Sequence, residues 1–83
     1  MKQIGKKELK TLIRDMRKFW DTGDTKYLKS KTRIWKSKST LEEQGVIEFA
    51  SDVCKFLFFA NHTIDKEEVY KILEAASISI VED

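Results

Sequence analysis

The sequence of 83 residues contains no proline and only three glycines. Because these residues form many of the turns that join short strands, an all-β fold of this size would need more of them. Their scarcity favours helices. Cys54 is the only cysteine, which excludes an internal disulfide and a cysteine-based zinc cluster. It lies in an apolar run, so we expect a buried side chain that acts as a small hydrophobe.

Long apolar runs are also missing. The longest uninterrupted one, Phe56–Ala60, is far shorter than the ~20 residues that a membrane-spanning helix needs. The first ten residues carry five charged side chains, which is unlike a secretory signal peptide. We therefore expect a cytoplasmic protein with no stable membrane insertion.

The apolar residues that are present recur at helical spacing. They predict four helices, at about 6–22, 25–36, 40–60 and 65–77, in one domain covering residues 1–83. Short connections between consecutive helices favour antiparallel neighbours. The predicted fold is all-α, a compact antiparallel four-helix bundle.

Several helix ends are marked by their residues. Gly23 is a natural stop for the first helix. Ser39 or Thr40 begins the third, with a glutamate three residues on in either register, as in a capping box. Asp65 has the same role for the fourth helix. The alternation in Ser77–Val81 leaves two alternatives open, a frayed helix end or a short strand.

The third helix is apolar around most of its circumference, which predicts that it is the buried centre of the bundle. Replacing either Phe56 or Leu57 with alanine is therefore expected to destabilise the fold strongly. Its apolar residues are Val46, Ile47, Phe49, Ala50, Val53, Cys54, Phe56, Leu57, Phe58 and Phe59.

The sequence contains no recognisable catalytic or metal-binding set. Its one histidine, His62, falls in a predicted turn with no serine or cysteine nucleophile nearby. No glycine-rich phosphate loop or HExxH pair occurs. Residues 57–68 are spaced like an EF-hand loop but lack its turn glycine and two acidic ligands. We expect a non-enzymatic protein with no catalytic residues, metal or cofactor.

Charge is distributed unevenly along the chain. Residues 1–40 carry thirteen Lys or Arg and four Asp or Glu, a balance of +9. Residues 41–83 carry three and ten, a balance of −7. Such asymmetry is typical of a surface for a charged partner. The alternative is that the two halves neutralise each other within the fold.

Cations recur at 3-4-3 spacing on each of the first two predicted helices, forming two stripes that point away from the apolar faces. Like charges at this spacing oppose helix formation by roughly 0.2–0.5 kcal/mol per pair unless anions relieve them. An acidic protein surface, nucleic acid and the protein's own acidic half are the three candidate anions. The first stripe is Lys7, Lys10, Arg14 and Arg17, and the second is Lys26, Lys29, Arg33 and Lys36.

Aromatic residues flank the stripes, as they do in proteins that stack on single-stranded nucleic acid. However, Trp20 and Trp35 fall on the predicted apolar faces, which favours core packing. Of the three aromatic residues, Tyr27 alone remains beside the stripes.

The stretch Gly45–Ala60, followed by a short turn and Ile64–Leu73, resembles the small cytosolic immunity proteins that protect bacteriocin producers. The resemblance covers about a third of the chain. It implies a four-helix bundle, often basic, without enzymatic activity, and it transfers no site residues. The preferred function is docking on a protein partner, of the immunity, inhibitor or adaptor type. The alternative is nucleic-acid binding through the cationic face of the first two helices.

Overall fold

The computed structural model describes residues 2–82, and most of them are helical. The predicted helical character and the four predicted helices are confirmed, whereas two short strands correct the all-α prediction. No helix in this range has the length and apolarity required to cross a bilayer. In chain order the elements are β1 (Gln3–Gly5), α1 (Lys6–Thr22), a 3₁₀ turn (Thr25–Leu28), α2 (Lys29–Ser37), α3 (Leu41–Asn61), α4 (Lys66–Ala75) and β2 (Ser79–Val81).

The second predicted helix is divided into the 3₁₀ turn and α2, which corrects the single helix expected over 25–36. Asp24 caps this segment, and its Oδ1 accepts a hydrogen bond from the backbone N–H of Lys26 at 2.9 Å. The N–H of Tyr27 then bonds to the carbonyl of Asp24 at 3.2 Å, a three-residue spacing. These tight bonds at the start favour one 3₁₀ turn before the chain relaxes into the α-helix.

The predicted helix ends are found close to their expected positions. Gly23 ends α1 with φ at +71°, in the left-handed region that glycine adopts without strain. Of the two possible caps for α3, the structure uses Thr40, whose Oγ1 accepts from the N–H of Glu43 at 3.0 Å. Asp65 caps α4 by accepting from the N–H of Glu67 at 2.9 Å. Local side-chain chemistry therefore sets these boundaries.

Helix α3 lies at the centre of the fold, because α1, α2, α4 and β1 all pack against it. Its central position confirms the prediction, but three of the apolar residues that were predicted to be buried are exposed. Phe49 is 38%, Phe56 66% and Phe59 61% exposed. The neighbours of α3 leave part of its circumference uncovered, and these side chains lie there, although Phe59 still meets Trp20 of α1 edge-on. The inward side chains are Val46, Ile47, Ala50, Val53, Cys54 and Leu57.

A two-stranded parallel sheet joins the two ends of the described chain. Ile4 of β1 lies opposite Ile80 of β2, and Ser79 donates its N–H to the carbonyl of Lys2 at 3.0 Å. Ile4 and Ile78 are both buried in the core. Of the alternatives for Ser77–Val81, the strand is therefore the correct one. The antiparallel order of the helices stays a prediction.

Candidate functional site

The second cationic stripe occupies the outer face of α2. Lys29, Arg33 and Lys36 are all exposed, on the side opposite the buried Ile34. We call these three residues the α2 cation face. They line a shallow groove of about 430 Å³, whose remaining walls are Thr25, Leu28 and Thr32. The groove thus combines three cations with two hydroxyl groups and one half-buried apolar side chain.

The α2 cation face has no anionic partner within residues 2–82, where no ion pair or side-chain hydrogen bond engages any of its three cations. Lys26, the fourth member of the stripe, is held locally instead. Its Nζ lies 3.6 Å from Asp24 Oδ2 and 5.0 Å from the ring centre of Tyr27. Charge interactions, first with Tyr27 and then with Asp24, raise the pKa of Lys26. Lys26 is therefore separate from the groove.

The first stripe, on α1, is exposed but partly committed to contacts within the fold. Lys7, Lys10, Arg14 and Arg17 all reach solvent. Arg14 Nε lies 3.2 Å from Asp15 Oδ1. Arg17 Nε donates to the carbonyl oxygen of Ile64 at 2.7 Å. Because Ile64 precedes α4, Arg17 connects α1 to the α3–α4 junction, and its guanidinium has a structural role.

Arg17, the last cation of the first stripe, is turned away from α2. Glu8 on α1 accepts a hydrogen bond from Lys38, next to the end of α2, at 2.9 Å. Arg17 is nine residues further on, which is two and a half helical turns, so it leaves α1 on the opposite flank from Glu8, where it bonds to Ile64. The structure therefore separates Arg17 from the α2 cation face.

Two ion pairs between the basic and acidic halves involve cations outside the stripes. Lys6 Nζ lies 3.2 Å from Glu82 Oε1, and Lys31 Nζ lies 3.3 Å from Glu48 Oε1 on α3. The second pair explains why Lys31 stands among the apolar residues of α2. On α2, the acidic half of the chain therefore neutralises Lys31, which lies on the inner side of the helix. Within residues 2–82 it provides no anionic partner for the α2 cation face.

The two side chains with potential reactivity lie in different surroundings. Cys54 is buried, and desolvation raises its pKa from 9.0 to about 12, so the thiol stays protonated at neutral pH. His62 is exposed at the end of α3 with φ at +59°, and its N–H bonds to the carbonyl of Phe58 at 2.8 Å. Residues 2–82 contain no group of three or more His, Cys, Asp or Glu side chains suited to a metal.

The indole rings that flank the stripes belong to the packed interior. Trp20 and Trp35 are half-buried against the core. Trp20 stacks on Phe58 at 6.0 Å between ring centres and meets Phe59 edge-on at 5.1 Å. The predicted core packing of both tryptophans is confirmed.

The sequence analysis missed a second surface, the outer face of α3. It carries four exposed large apolar side chains, and we call it the α3 outer face. A signal for it was present, since Phe49, Phe56 and Phe59 follow each other at spacings of seven and three on a helix that has more apolar residues than one core stripe can use. Its members are Leu41, Phe49, Phe56 and Phe59.

No family model, curated protein or solved structure matches this chain.

Proposed function

We propose that this is a non-enzymatic cytoplasmic protein that docks on an acidic protein surface through the α2 cation face, in the manner of an immunity, inhibitor or adaptor protein. The observation that carries the proposal is three exposed cations on successive turns of one helix without an anion beside them. Like charges at this spacing oppose the helix. An acidic partner removes that repulsion and also accelerates association by electrostatic steering.

The proposal includes antiparallel order for consecutive helices. Lys18, near the end of α1, lies with its Nζ 5.6 Å from the ring centre of Tyr27, before α2 begins. Glu8, near the start of α1, contacts Lys38 just after α2 ends. These contacts support opposite directions for α1 and α2. Such an arrangement leaves the outer side of α2 open along its whole length.

Nucleic-acid binding is the competing function, and the exposed cations on two helices favour it. Three features support a protein partner instead. Arg17 of the first stripe is engaged with the carbonyl of Ile64, the tryptophans pack against the core, and the exposed phenylalanines belong to the acidic half of the chain. Binding to a phosphate backbone would lose affinity steeply with added salt.

The test reverses two charges of the α2 cation face in the variant Lys29→Glu/Arg33→Glu. The control, Lys2→Glu/Lys71→Glu, changes the net charge equally at two other exposed positions. Each protein is immobilised in nuclease-treated native lysate, and captured proteins are identified by mass spectrometry. We expect an acidic protein to be captured by the parent and the control and lost from the reversed variant.

Thermal melts of the same variants separate binding from folding. Exposed substitutions change stability by under about 0.5 kcal/mol, so the reversed variant should melt close to the parent. A clearly lower melting temperature with unchanged capture would show that the cations serve the fold. Retention on a DNA column that nuclease or modest salt abolishes, without any protein captured, would support the competing function.

A further inference from the structure

The α3 outer face is an unusual surface for so small a protein. Leu41 is 86% exposed, Phe56 66%, Phe59 61% and Phe49 38%. Phe49, Phe56 and Phe59 lie within about 80° of one another around the helix, since residues advance by about 100° each. The three rings therefore form an aromatic strip along one side of α3, on the part of its circumference that lies outside the core.

Part of the apolar area that a dimer needs is exposed on this strip. A phenylalanine side chain contributes about 200 Å² and a leucine somewhat less, so the four side chains expose roughly 450 Å² of apolar surface per copy. That is within the range of the largest patches on monomers, which are often functional. In an antiparallel dimer centred between residues 52 and 55, Leu41 lies beyond the end of the partner's α3, so the three phenylalanines of the two copies would cover about 660 Å² of the ~1,600 Å² total of a standard interface. Neighbouring polar side chains supply the remainder as a rim.

The charges along the strip are complementary to those of a second, antiparallel copy. Asp52 lies between Phe56 and Phe59 around the helix, Lys55 lies about one turn further along at the edge of the strip, and both are exposed. Neither makes an ion pair within residues 2–82. A two-fold axis between them brings Asp52 of each copy to Lys55 of the other. In the same register, Phe49 of one copy falls between Phe56 and Phe59 of the other.

We propose that the protein forms a two-fold symmetric homodimer in which the α3 outer faces pack antiparallel, with Asp52 of each copy paired to Lys55 of its partner. A symmetric interface requires a self-complementary patch, which this strip provides. The dimer uses none of the residues of the α2 cation face, so the inference does not rest on the proposed function.

Charge exchange tests this interface specifically. The full chain is studied by analytical ultracentrifugation over a concentration series, and the parent should pass from monomer to dimer. Asp52→Lys and Lys55→Asp should each raise the dimer dissociation constant by about tenfold or more, because like charges then face each other. Mixing these two variants should restore a dimer containing one copy of each, since each of the two facing pairs then joins a cation to an anion.

Two further variants test the apolar contact and control for the change in charge. Phe56→Gln removes an exposed apolar contact and should weaken the dimer while circular dichroism shows an intact helical fold. Lys71→Asp makes the same charge change as Lys55→Asp on the exposed side of α4 and should leave the dimer unchanged. A parent that stays monomeric at all concentrations overturns the proposal, even if a different protein binds the strip. A dimer that is insensitive to both charge variants and to Phe56→Gln overturns it equally.

Discussion

Two adjacent residues of α3 provide a sharp test of how the core is built. Leu57 is 3% exposed and lies within the hydrophobic core, whereas Phe56 is 66% exposed on the α3 outer face. Their sequence neighbourhood is the same, and both were expected to be core residues. The perturbation is the pair of single substitutions Leu57→Ala and Phe56→Ala.

The expected magnitudes follow from these exposures. Truncating a buried leucine to alanine removes apolar contacts and leaves a cavity, which costs about 2–5 kcal/mol. Truncating a fully buried phenylalanine costs about 3–5 kcal/mol, and only about a third of Phe56 is covered, so its loss should be about 1–1.5 kcal/mol. A domain of this size has a total stability at the low end of the ~5–15 kcal/mol range. Leu57→Ala should therefore lower the melting temperature by about 10 °C or more.

Urea unfolding, monitored by circular dichroism, gives the free energy of unfolding of the parent and of each variant. The measurements are made at low protein concentration and repeated at about tenfold higher concentration, so that any contribution of the α3 outer face to self-association is separated. The reasoning is refuted if Phe56→Ala destabilises the monomer as much as Leu57→Ala. It is equally refuted if neither variant differs from the parent, since α3 would then not be central to the core.

Three further substitutions test the backbone and the buried thiol. Gly45, inside α3, has no atom within 4 Å of an added Cβ, so Gly45→Ala should raise the free energy of unfolding by about 0.5–1 kcal/mol. Gly23 has equal space but a φ of +71°, so Gly23→Ala should lower it by about 1 kcal/mol, and urea unfolding of both variants checks the opposite signs. Folding raises the pKa of Cys54 from 9.0 to about 12, so above about pH 9 only the unfolded thiol ionises and the free energy of unfolding should fall, by at most about 1.4 kcal/mol per pH unit. Cys54→Ala should lack this component when unfolding midpoints are compared from about pH 8 to pH 10.

The order of the helices and most of their limits could be predicted from the sequence because local interactions decide them. Gly23 ends α1 by its own conformational freedom, and Thr40 and Asp65 cap the helices that follow them through bonds spanning two or three residues. The exposure of the α2 cation face was predictable for the same reason, since the position of Ile34 within α2 determines which side turns inward. Each of these features depends on residues within about one helical turn.

The remaining features depend on residues that are far apart in the chain, and only the tertiary structure decided them. Strand β1 exists because β2, more than seventy residues later, offers it a partner, and Gln3–Gly5 alone carries no strand signal. The exposure of Phe56 depends on which neighbours α3 has and on which side they pack. An apolar side chain is attracted to any apolar surface, because the hydrophobic effect has no direction. Composition therefore determined that α3 would be central, while the placement of α1, α2 and α4 determined which of its phenylalanines were left in water.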